Sequence, residues 1–175
     1  IRGICKTVEI SEGTFFNYFP EKIDIVHFYT DAIFIKAAWK ARRGNACLKG
    51  LSFINTVFEN LAFEVENLNI VYQIISVMIS QKELSKKGNV SALERYLLYP
   101  GCEGIENVRL VDIETFFKES LKDALESGEL PRNTNLDDLV VSLITILSGT
   151  LLATKFFGGN KNMAYQFKRQ LRILW

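Results

Sequence analysis

Apolar side chains recur along this chain at spacings of three and four, the repeat of a helix with one buried face. No stretch alternates strictly enough to argue for a strand, so the pattern predicts an all-α fold. Residues Ile1 to Phe19 read as short helical pieces, broken near Glu9 to Ser11 and ended by Pro20. From Glu21 to Arg43 runs a long amphipathic helix, with Ile25, Val26, Tyr29, Ile33 and Ala37 on one side, stopped by Gly44-Asn45. A second stripe, Leu51, Ile54, Phe58, Leu61, Val65 and Leu68, predicts the next helix. Ile70 to Ser80 is apolar almost all round, as a buried helix would be. Val90 to Leu98 is a shorter helical stretch, closed by Pro100-Gly101. Val108 to Glu126 follows, with Val111, Phe116 or Phe117, Leu121 and Leu125 facing inward, and Gly128 and Pro131 closing it. Asn135 is placed to cap a strongly apolar helix that stops at Gly158-Gly159, and a basic amphipathic helix, about Lys161 to Trp175, ends the chain.

Composition narrows the functional classes. With 48% hydrophobic residues, 3 Pro and 11 Gly among 175 residues, the chain has material for a core and none of the bias of a disordered or repetitive sequence. A net charge of +1 creates no strong field toward nucleic acid or membrane. Three cysteines without a CxxC spacing make no disulfide framework, which fits reduced thiols and a cytoplasmic location. The longest nearly apolar run, Leu139 to Ala153, is 15 residues, short of the roughly 20 that span a bilayer, so no membrane partner is expected.

Chemistry-bearing patterns are few. His27, the only histidine, falls early in a long helix without a nearby partner for a triad or a metal site. No nucleotide-binding or nucleophile-elbow string occurs, so neither enzymatic activity nor a cofactor or metal is expected. The informative segment is Ile4 to Lys22. Ile4, Val8 and Ile10 can pin two short helices at a steep angle, and Ser11 can cap the second by accepting a backbone N–H. Phe15 and Phe19, four apart, then anchor that helix while Thr14, Asn17 and Tyr18 lie near its exposed side. This is the layout of a helix-turn-helix, whose second helix enters the major groove of DNA.

The string Ile10-Ser11-Glu12-Gly13-Thr14-Phe15-Phe16-Asn17-Tyr18-Phe19, followed by Lys22, resembles the recognition half of the TetR family of transcriptional regulators. The resemblance implies that Ser11 to Tyr18 form the recognition helix. Ser11, Gly13, Thr14, Phe16, Asn17, Tyr18 and Lys22 would then meet double-stranded operator DNA, with Lys22 on a phosphate at a helix N-terminus. Phe16 stands where the family often has tyrosine, and Glu9 where a left-handed turn glycine is common. The family also has a helix upstream of these residues. The chain begins at Ile1 rather than Met, so it reads as a fragment or a processed form, expected to bind DNA poorly until that start is restored.

The resemblance divides the chain into a partial DNA-binding region with its connecting helix, residues 1–43, and a helical ligand-binding and dimerisation body, residues 44–175. It implies an internal pocket in the body. Phe58, Phe63, Tyr72, Gln73, Met78 and Phe117 are the candidate lining for a hydrophobic small-molecule effector, with Tyr72 and Gln73 as polar handles. It further implies a homodimer joined through the last two helices, whose Ser148, Gly149 and Thr150 would allow close helix contact. The expected function is a ligand-responsive regulator, a repressor released from a near-palindromic operator. The competing expectation is a helical small-molecule-binding protein that does not bind DNA.

Overall fold

The computed structural model describes residues 1–65, 72, 76, 90–108, 112–156 and 163–175. The expected helix Ile70 to Ser80 falls almost wholly outside the described residues, as do Leu68 and Val111 of the predicted stripes. Among the described residues the protein is all-α: eight α-helices and a single 3-10 turn, with no strand. They are α1 (Arg2–Thr7), α2 (Glu12–Tyr18), α3 (Lys22–Gly44), α4 (Gly50–Glu64), α5 (Ala92–Leu98), α6 (Ile113–Glu126), α7 (Leu136–Phe156) and α8 (Met163–Leu174). The 3-10 turn, Ile105–Asn107, lies between α5 and α6.

Local chemistry accounts for most boundaries. Ser91 caps α5 in a reciprocal box with Glu94, whose carboxylate accepts the Ser91 N–H at 2.7 Å. Asp112 starts α6 by accepting the N–H of Thr115 at 2.7 Å and its hydroxyl at 2.8 Å. That cap shifts the start of α6 to Ile113, five residues beyond the Val108 that the apolar pattern suggests. Asn135 accepts the N–H of Asp137 at 3.1 Å at the head of α7.

The start of α4 is completed from a distance. Leu51 donates its N–H to Glu129 Oε2 at 3.1 Å, and Ser127 Oγ holds the other carboxylate oxygen at 2.9 Å. Gly50 sits at φ +59°, which strains any other residue, and a Cβ there would fall 2.2 Å from Glu129 Oε1 and displace that carboxylate.

The core forms where α4 packs against α3, α6 and α8, with α7 laid on α6 and α8. Its centre is aromatic. Phe58 stacks on Phe117 at 5.7 Å and meets Phe167 edge-on at 5.0 Å, and Phe34 touches both Phe116 and Phe117. The predicted stripe of α4 is buried from Leu51 to Val65, and Phe53 and Val57 are buried with it, so α4 is covered on two sides. In α3 the buried apolar residues are Ile23, Ala32, Phe34, Ile35, Ala37, Ala38 and Ala41, with Asp24 buried beside them, whereas Tyr29 is exposed. A helix passing from α2 to the body changes its covered side along its length, which a single stripe does not anticipate.

The second half of α3 is tied down by polar contacts. Glu64, the last residue of α4, accepts from Lys36 at 2.6 Å and from Lys40. Burial pushes the Glu64 carboxyl up, but the two lysines outweigh it and hold the group below its ordinary range. The Lys36 ammonium also lies 5.2 Å from the centre of the Tyr99 ring, and Trp39 Nε1 donates to the Glu103 carbonyl at 2.9 Å. Burial, then the charge of Glu64, pushes the Tyr99 phenol up to about 12.

Candidate nucleic-acid interface

The first two helices are built around one sharp turn. After α1 the Ile10 N–H reaches back to the Cys5 carbonyl at 3.0 Å, the closure of a Schellman turn. The residue that must then be left-handed is Glu9, at φ 56°. Glycine is usual there, and the strain expected of a glutamate at this position is present in the backbone. Ser11 caps α2 as its sequence position suggests: Oγ accepts the Thr14 N–H at 3.0 Å and shares a 2.9 Å hydrogen bond with the Thr14 hydroxyl.

Phe15 is the buried residue of α2. It meets Phe19 at 5.6 Å, and Phe19 meets Phe28 of α3 edge-on at 5.7 Å, so one aromatic row fixes α2 against α3. Everything else on α2 faces outward. Ser11, Gly13, Thr14, Phe16, Asn17 and Tyr18 are all exposed, Tyr18 by 75%. These six expected contact residues therefore form one continuous solvent-facing surface. Lys22 begins α3 four positions after Tyr18, and its side chain lies outside the described residues.

One pair on this surface is not signalled by the residue pattern. Arg2 of α1 donates from Nε to Glu12 Oε1 at 3.1 Å, and both side chains are exposed. Ten residues and a turn separate them, so no helical spacing reveals the contact.

Of the six residues expected to line a pocket, four are among the described residues. Phe58 and Phe117 are completely buried, each against the other, at the centre of the core. Phe63 points away from that core and is 67% exposed. It lies five positions after Phe58, about 140° round the helix, which carries it to the opposite face. Tyr72 is partly buried. Gln73 and Met78 lie outside the described residues. Among the described residues no cluster of His, Cys, Asp and Glu could hold a metal, and the buried Nε2 of His27 has no hydrogen-bond partner.

A second exposed surface lies on α7 and α8. Val140, Leu143 and Thr150 of α7 are buried inside the chain, with Thr150 accepting from Gln170 of α8 at 2.9 Å. Val141, Ile144, Thr145, Ser148, Gly149 and Phe156 face out instead, Val141 by 63%. On α8 Tyr165 and Ile173 are exposed too. A Cβ added at Gly149 would meet nothing within 4 Å among the described residues. Leu136–Thr154 is 19 residues with mean hydropathy 1.8, so α7 is long and apolar enough to cross a membrane by those two measures alone. It exceeds the 15-residue apolar run because the helix takes in Leu136 to Asp138 before that run and Thr154 after it.

Comparison of the chain with family models, curated proteins and solved structures finds no significant match. What the protein does has to follow from its residues and their geometry.

Proposed function

We propose that this protein is a ligand-responsive, DNA-binding transcriptional regulator of the cytoplasm, a repressor that acts as a homodimer. The observation that carries the reading is the outward surface of α2, in which Gly13, Thr14, Phe16, Asn17 and Tyr18 stand free of the core while Phe15 holds the helix to its neighbours. Such a helix, capped at its start and anchored by one aromatic row, can enter a major groove without giving up packing. A hydrophobic effector in the body would favour a spacing of the two recognition helices that misses adjacent grooves. A preference of about 3 kcal/mol for that spacing lowers operator affinity on the order of a hundredfold.

The test is fluorescence anisotropy of the protein against duplexes from upstream of its gene, with a scrambled control, followed by random-library selection. Tight, sequence-dependent binding by a dimer is expected. Failure of the selection to return any consensus would remove the DNA reading. It would favour the competing one, a helical small-molecule-binding protein without DNA affinity, to which the strained Glu9 turn and the net charge of +1 lend support.

The dimer makes a separate prediction. Gly149 lies mid-helix, where glycine costs about 1 kcal/mol relative to alanine, and nothing among the described residues requires it. A second copy crossing α7 closely does. Gly149→Leu is expected to raise the dimer dissociation constant at least tenfold in sedimentation experiments while leaving helix content unchanged. An unaltered dimer would show that association uses another surface.

A further inference from the structure

We propose that Glu12 is a specificity-determining residue, held by Arg2 to accept a hydrogen bond from the exocyclic amine of a cytosine in the major groove. The inference rests on the DNA-binding reading above and names a base that this reading leaves open. Glu12 is the first residue of α2, the end of a recognition helix that reaches base edges. It is also the single acidic residue of α2. A carboxylate there faces a polyanion, an arrangement that repels unless the charge is matched and the acceptor is used.

Arg2 meets the first condition and leaves an oxygen for the second. Arg2 lies across the turn with Nε 3.1 Å from Glu12 Oε1, which offsets the negative charge. That contact uses one guanidinium N–H of five and one carboxylate oxygen of two. The remaining guanidinium edge can bind a phosphate, and Oε2 can accept from a base. Cytosine N4 is the major-groove donor that aspartate and glutamate read, because guanine and thymine present only acceptors at the corresponding edge. Adenine N6 donates too, but beside the N7 acceptor, which suits an amide and repels a carboxylate. An exposed ion pair contributes little to holding α1 on α2, so stability alone gives a weak reason for the pair.

Random-library selection with the wild type and with Glu12→Gln tests this. The wild-type consensus is expected to contain a cytosine in each half-site, preferred about fivefold or more over other bases. In Glu12→Gln that preference should fall to near one or move to adenine, with the other positions unchanged. Absolute affinity can rise in the variant because a negative charge is gone, so the ratio between bases is the readout. Arg2→Ala should lower the salt dependence of binding by about one phosphate contact. A wild-type consensus that Glu12→Gln reproduces unchanged overturns the assignment while sparing the DNA reading. No consensus from either protein overturns both.

Discussion

Phe58→Ala is expected to destabilise the protein by about 3–5 kcal/mol, among the largest losses a single truncation in this core can cause. The ring is fully buried and is shared by three helices: α4 carries it, Phe117 of α6 stacks on it, and Phe167 of α8 meets it edge-on. Truncation removes the transfer energy of the ring and leaves a cavity. Its ring neighbours are Phe117 and Phe167, and Phe117 is itself held by Phe34 and Phe116, so the walls have little freedom to collapse into it. Urea unfolding should show a lower midpoint with an unchanged slope. Phe63→Ala on the same helix is the control, since an exposed ring should change stability by no more than about 0.5 kcal/mol. Equal losses from the two would mean that α4 does not turn Phe58 inward and Phe63 outward.

Asp31 carries the second large effect, and it depends on pH. Burial in α3, and then the negative charge of Asp112 at the head of α6, raise the Asp31 carboxyl to about 7. Between its ordinary value near 4 and pH 7, the folded state holds a proton that the unfolded state has released. Stability therefore falls as pH rises through this window, and the cost is complete above pH 7. Full linkage for a rise of this size is about 4 kcal/mol, and partial solvent exposure reduces the expected effect to about 2 kcal/mol. Asp31→Asn should be more stable than the wild type by about that amount at pH 8, and the difference should vanish toward pH 4. Glu64 acts in the opposite sense and in a lower window: its depressed carboxyl gives stability that is lost only as pH falls below the ordinary carboxylate range. It leaves the Asp31 signal readable. A difference between Asp31→Asn and wild type that is constant from pH 4 to 8 would mean that Asp31 is charged throughout.

The helical class is legible in the sequence because apolar spacing reports one covered face, and most of this chain has one. Caps are legible where the acceptor is next to the helix it starts, as at Ser11 and Asn135. The turn at Glu9 is legible as a conflict through the resemblance, which puts a left-handed glycine where this chain has glutamate. Other features have no local signal. Phe63 resembles a pocket residue on aromatic character alone, but its angular offset from Phe58 decides its direction. The pair of Arg2 and Glu12 depends on the angle between α1 and α2, a tertiary quantity that no periodicity reports. Asp31 looks like any helix-surface acid until the head of α6 comes to lie beside it.

The carboxylate that receives the Leu51 N–H has a consequence for the order of events in folding. The acceptor belongs to a residue 78 positions later in the chain. Closing a loop of that length carries an entropic cost that is met only after other contacts hold its ends together. The first turn of α4 is therefore completed late, once α6 has docked and the turn at Gly128 has formed. During synthesis the chain must grow past residue 129 before that amide has its partner. Until then the amino end of the most central helix remains frayed, and the Leu51 amide should be among the last in α4 to become protected from solvent exchange.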